Sequence, residues 1–202
     1  AEPETKYLST PAGESVAITG FSYDQQWISE DRSEAYPNRD TLVDYHIGLL
    51  HGDNSSTDGQ KRYAPFNPSQ LASHGYDYWA LGHIHKGQVI YENPAMVYPG
   101  NIQGASFKED GAKGALIVNL AKGVPAELEF IETAEWQFQH STRDLGPVNS
   151  LDTLRNNIET ALHEHIMFAK DEAVNVISRM TFLTDGNEEA LYWWNTYAEE
   201  LL

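Results

Sequence analysis

Three histidines stand where metal or proton chemistry could be done: His51 in Leu49-Leu50-His51-Gly52, and the pair in Gly82-His83-Ile84-His85. Neutral imidazole is a common metal ligand, and its pKa lies close to physiological pH. Residues at i and i+2 of an extended segment project to one side. His83 and His85 are therefore predicted to aim their rings together, with Gly82 letting the backbone turn sharply in front of them. Each motif follows an apolar run, residues 45–50 and 76–81, that reads as a buried strand. If those strands are sheet neighbours, all three rings reach one crevice at the strands' carboxyl ends, where open α/β sheets bind ligands. They could serve one ion there, or two neighbouring ions.

The chain carries its own control. His163-Glu164-His165 has the same spacing on a predicted helix, where i and i+2 stand about 200° apart. Those rings are expected to diverge, with His163 solvated and His165 on a partly buried flank. His46, five residues before His51, faces the opposite side of the same strand. His74 precedes Gly75 at a helix end, where it can satisfy free carbonyls, and His140 reads as an ordinary strand residue. Asp53 and Asp58 are near enough to His51 to add a carboxylate, but with thirty acidic residues in the chain they read more simply as loop acids. No cysteine is present, so a transition-metal site would be built from His, Asp, Glu and Asn. Neither a nucleophile elbow nor a Walker-type phosphate loop occurs.

The elements that must hold these residues can be read in outline. Residues 15–21 form a strand entered through a turn at 11–13. Residues 24–44 are a loop with a short helix, anchored by Trp27 and Ile28. Asn67 caps a short helix with Pro68 at its first position, Leu71 inward and Gly75 at its end. Further strands are predicted at 89–91, 95–98, 115–120 and 126–131. Beyond residue 134 the pattern becomes strand, helix, strand, helix. Ser150 caps the first of those helices, whose inward positions are Leu151, Leu154, Ile158, Ala161, Leu162 and His165. This divides the chain into a β-rich unit at 1–133 and a smaller α+β unit at 134–202.

Thirteen basic residues against thirty acidic ones give a net charge of −17, which repels nucleic acid. The segment from Lys61 to Lys113 is the exception, with five Lys/Arg against four Asp/Glu, and it contains the Gly-His-Ile-His turn. No run is long and apolar enough to span a bilayer, and residues 1–6 lack a signal-peptide pattern. A cytoplasmic location without membrane attachment fits. The start at Ala1 reads as a processed chain or a fragment.

Phe66-Asn67-Pro68-Ser69-Gln70-Leu71, then residues 76–86 through Gly82-His83-Ile84-His85-Lys86, then Tyr98-Pro99-Gly100-Asn101-Ile102-Gln103-Gly104, taken in this order, resemble the back half of SbcD-type DNA repair exonucleases. These are calcineurin-like metallophosphoesterases, and Leu49-Leu50-His51-Gly52 looks like their preceding histidine motif. The resemblance covers residues 15–131 well and the later block more loosely. It implies an α/β fold: the second half of a four-layered sandwich, followed by a small, incomplete α+β capping domain. It also implies two divalent ions, usually manganese, that hold a phosphodiester and activate water. His51 and His83 would bind one ion and His85 the other, with Pro99-Gly100-Asn101 close by. Lys86 is more simply a solvent-exposed lysine than a phosphate contact.

The family's front half contributes an Asp-x-His, a bridging Asp and an Asn-His pair whose His is the general acid, and these 202 residues contain none of them. Asp44-Tyr45-His46 has the letters of the first motif but lies on the strand that leads to His51. The expectation is therefore a chain that alone binds metal weakly and hydrolyses little, and that lacks a catalytic residue of its own. About 150 to 200 further residues upstream would complete such a domain. DNA is the expected substrate and an SMC-like ATPase the expected partner, with a homodimer left open. Two other readings stay open. One is a hydrolase of small phosphodiesters or phosphomonoesters. The other is a non-catalytic adaptor that docks the ATPase through its cap, with Trp193, Trp194 and Tyr197 as anchors; simple packing of the last helix explains those aromatics more readily.

Overall fold

The computed structural model describes residues 2–25, 28–54, 63–171, 175–184 and 186–201. The expected anchor Trp27 and the loop acid Asp58 lie outside that set. Two compact units are formed, one from residues 1–102 and 113–133, the other from 103–112 and 134–202.

The first unit is built on a six-stranded sheet in the order β1-β2-β3-β4-β6-β5. Its strands are β1 (Glu4–Ser9), β2 (Ser15–Gly20), β3 (Tyr45–His51), β4 (Tyr78–Gly82), β5 (Gln88–Glu92) and β6 (Ala95–Tyr98). β2, β3, β4 and β6 run parallel, and β1 and β5 close the two edges antiparallel. Parallel strands are covered on both faces, and β6 is buried at every position. On one face Leu50, Trp79, Leu81 and Met96 pack with Leu71 of α1 (Pro68–Ser73) and with Tyr36 and Tyr76. On the other, Tyr78, Ala95 and Val97 pack against the hairpin β7 (Gly114–Asn119) and β8 (Glu127–Glu132) through Leu116, Val118 and Leu128. Gly48 is required by this packing: a Cβ there would stand 2.2 Å from the Trp79 ring.

α1 begins as its sequence predicts. The side chain of Asn67 accepts from the Ser69 amide at 2.9 Å and Leu71 is fully buried. β1 is an addition. Most of its positions are exposed, so it carries little of the apolar alternation that marks a strand in sequence. It is held instead by its ladder to β2 and by a 2.8 Å hydroxyl contact between Thr5 and Thr19. Among the described residues of 24–44, the expected helix is a single 3-10 turn, Ser33–Ala35.

In the second unit β9 (Trp136–Asp144) and β10 (Asn175–Leu183) run parallel, joined by α2 (Leu151–Asp171) and followed by α3 (Glu188–Leu201). Leu145, Val148, Leu154, Ile158 and Ala190 form its core, with Trp193 and Trp194 packed against it. Leu162, expected inward, is 43% exposed on a groove between the helices. Residues 103–112 group here rather than with the first unit because Phe107 contacts the Phe138 ring, Arg179 lies over Phe107, and the Gly111 amide donates to the Phe138 carbonyl. Among the described residues no helix is long and apolar enough to cross a membrane.

Candidate metal centre

β3 and β4 are adjacent and parallel, in a register that puts His51 beside Gly82. The Gly52 amide donates to the Gly82 carbonyl at 3.1 Å, extending the ladder by one step. Both histidine motifs thus leave the sheet at the same end, and the rings of His51 and His83 stand 5.5 Å apart, edge to face. A cavity of about 340 Å³ is lined by His51, His83 and His85 together with Pro99, Gly100 and Asn101. The Asn101 amide donates to the His85 carbonyl at 3.3 Å, tying the Pro-Gly-Asn turn to the histidine turn.

Two expectations about this turn need correction. β4 ends at Gly82, and His83 bends away at φ +105°, so His83 and His85 are not alternate residues of an extended segment. That φ lies in a region L-residues rarely adopt, and such strain costs on the order of 1–3 kcal/mol and concentrates at functional sites. Nor is Gly82 the residue that turns. Its role is space: a Cβ at Gly82 would meet Nδ1 of His51 at 2.7 Å. Glycine is thus needed across the ladder from His51 for the imidazole to lie where it does.

His51 as a residue is exposed. Even so, the atoms that cover its ring push its pKa below the ordinary imidazole value, and the nearness of His83 and His85 adds to this. A ring held neutral has a lone pair to offer, the form in which histidine binds metal. Two aromatic neighbours escaped the sequence reading. Tyr23 stands edge-on to His51 at 5.8 Å and Tyr63 lies 4.9 Å from the His83 ring. Both come from irregular segments whose letters carry no periodic signal.

Among the described residues, no three His, Asp or Glu side chains group closely enough to hold an ion. What is present is a pair of imidazoles with His85 on the same cavity. Imidazole nitrogen suits a divalent transition ion, so the donor set fits as part of a shell and is insufficient as a whole one.

None of the other histidines is among the described lining of this cavity. His46 is buried at 1% exposure; the Asp40 amide donates to its Nδ1 at 3.0 Å, so Nε2 carries the proton and donates to Thr19 at 2.7 Å. Asp44, in the look-alike Asp44-Tyr45-His46, accepts from the backbone and hydroxyl of Ser15 and pairs with Lys122. His74 does not serve its own helix: its Nε2 donates to the carbonyl of Ser33 at 2.8 Å, pinning α1 to the 3-10 turn. His140 contacts the Thr181 hydroxyl. His163 is exposed, while His165 is half-buried against Ser178. The 690 Å³ groove of the second unit is mainly apolar, with Ile158, Ile166 and Leu191 among its walls, and is also lined by His165, Ser178 and Thr184.

No family model matches the chain. Over 160 residues, 79% of its length, it is 36% identical to an uncharacterized metallophosphoesterase, YhaO, of Bacillus subtilis (strain 168). The chain is similar to a metallophosphoesterase. It spans 39% of that relative's length, and the relative's name specifies a metal and a phosphoester but no particular substrate.

Proposed function

We propose that this chain is the histidine-bearing part of a divalent-metal-dependent phosphoesterase, and that the whole protein cleaves phosphodiesters of DNA as a repair exonuclease. The observation that carries the proposal is the pair of imidazoles of His51 and His83, 5.5 Å apart at the ends of neighbouring parallel strands. In this reading His51 and His83 hold one ion and His85 a second, with manganese as the metal. The remaining ligands and the general acid come from outside these 202 residues. A bound divalent ion supplies Lewis-acid polarisation of a phosphate oxygen and a water of lowered pKa. The chain's own contribution is to favour the neutral form of His51 and to orient the rings. Gly82 leaves room for His51, and the turn at Pro99–Asn101 walls the cleft and is hydrogen-bonded to the backbone of His85.

The same proposal assigns the first unit to the second half of a four-layered sandwich and the second unit to a capping domain. That cap would face DNA and dock an SMC-like ATPase in a cytoplasmic enzyme that could act as a homodimer. The near-neutral segment between Lys61 and Lys113, which contains the Gly-His-Ile-His turn, is compatible with an anionic substrate there in a chain of charge −17.

The test is hydrolysis of bis(4-nitrophenyl) phosphate and of linear duplex DNA in millimolar manganese, by this chain alone and joined to the rest of its protein. The joined form is expected to degrade both, the chain alone neither. Cleavage of the small diester without DNA would remove the nuclease assignment. Full turnover by the chain alone would overturn the division of ligands.

A further inference from the structure

The carbonyls at the end of β3 raise a bonding problem. Successive residues of a strand present their backbone groups to alternate neighbours. The Gly52 amide is directed to β4, so the carbonyls of Leu49 and His51 point to the β2 side. β2, however, ends at Gly20, which pairs with Leu49, and the chain then leaves the sheet. Two phenols fill the gap. Tyr36 donates its hydroxyl to the Leu49 carbonyl at 2.6 Å, and Tyr23 donates its hydroxyl to the His51 carbonyl. The Tyr23 ring also stands edge-on to the His51 imidazole, 5.8 Å between centroids. It is braced in turn by Phe21, stacked on it at 6.1 Å, and Phe21 contacts Tyr36 at 6.2 Å. One side chain thus holds both the backbone and the ring of the same histidine.

We infer that Tyr23 is the positioning residue for His51, fixing the backbone through its hydroxyl and the imidazole through its ring edge. The inference rests on the reading of His51 as a metal ligand, and extends it to the shell that orients the ligand. Partners that bond the ring nitrogen of a metal-binding histidine are worth about 10–100-fold in metal affinity, and Tyr23, which acts through the backbone and a ring contact, is expected at the low end of that range or below it. The two contacts are separable by substitution. Tyr23→Phe keeps the ring and loses the hydroxyl, whereas Tyr23→Ala loses both. Tyr36→Phe removes the equivalent bond one step earlier on β3 without touching the His51 ring, and serves as the control.

The experiment has two readouts on the 202-residue chain. In the metal-free protein, nitrogen and carbon relaxation of the His51 ring is measured by NMR. In a manganese titration, paramagnetic broadening of the His51 and His83 ring signals reports binding. Ring mobility at His51 is expected to rise in Tyr23→Phe and further in Tyr23→Ala, with manganese binding weakened a few-fold and about tenfold respectively. Tyr36→Phe should leave both readouts near wild type. Unchanged His51 mobility in a folded Tyr23→Phe or Tyr23→Ala protein would overturn the inference. Absence of manganese broadening in the wild type would instead count against the metal reading, while the metal-free ring measurement still decides the role of Tyr23. If Tyr23→Ala does not fold, Tyr23→Phe carries the test.

Discussion

His46 and His51 lie on one strand, five residues apart, and the sheet makes opposite uses of them. His46 points into the Trp79 side of the core, stacks on Tyr76 at 3.8 Å and has both ring nitrogens bonded. His51 emerges at the strand's carboxyl end, where among the described residues no protein group hydrogen-bonds its ring. A saturated imidazole at the amino end is a structural member. An imidazole with a free lone pair, kept neutral and steered by a tyrosine, is equipped for chemistry. Residue type and strand are the same for both; the end of the sheet decides the role.

The largest expected effects separate the two ends. His51→Ala and His83→Ala should each lower metal-dependent hydrolysis by the joined protein more than about 100-fold, beyond what the loss of an orienting partner costs. Both changes sit at exposed or half-exposed positions and should leave the urea unfolding free energy within about 0.5 kcal/mol of wild type. His46→Ala should do the reverse. Loss of one buried and one partly buried hydrogen bond and an aromatic contact is expected to cost about 2–3 kcal/mol in urea unfolding, with manganese binding at His51 little changed. Equal effects of His46→Ala and His51→Ala on both measurements would erase the distinction.

A smaller effect comes from pH. Burial, and then the charge of Arg39, lower the pKa of His46 in the folded chain, against opposing contributions from Asp40 and Asp77. When the unfolded chain takes up the proton near the ordinary value of 6.5 and the folded chain does not, acid favours unfolding. This part of the stability is complete above that value. It declines as pH falls through it, until the folded-state pKa is reached. Urea titrations from about pH 7.5 to about 5.5 should show the decline, flattened in His46→Gln. The smallest effect is expected at His163→Ala, which sharpens the comparison between the two His-x-His spacings. Its ring is solvated, so both stability and metal binding should stay within error. Weakened manganese binding in that variant would mean that spacing alone had more force than position.

Much of the frame was legible because burial leaves a periodic trace. The runs at 45–50 and 76–81 became β3 and β4, and the Asn67-Pro68 signal became α1 with its cap in place. β1 was illegible for the same reason: an edge strand with an exposed face needs no apolar pattern, only an unpaired ladder to join. The candidate site was legible as histidines at strand ends, but not in its detail. Left-handed φ at His83, clearance at Gly82 and the phenol of Tyr23 depend on residues 28 to 32 positions away from His51 in the chain.

What the sequence determined by itself was the donor chemistry and its approximate place. With no cysteine, His, Asp, Glu and Asn are the available side-chain ligands for a transition ion, and the apolar strands before His51 and His83 carry these two histidines at their carboxyl ends. Only the tertiary structure decided what the internal histidines bond, His46 to Thr19 and Asp40 and His74 to Ser33, and how the rings of His51 and His83 stand to each other. The pairing of β3 with β4, and the point at which β2 stops short of β3, are long-range matters of register, and no local pattern of letters encodes them.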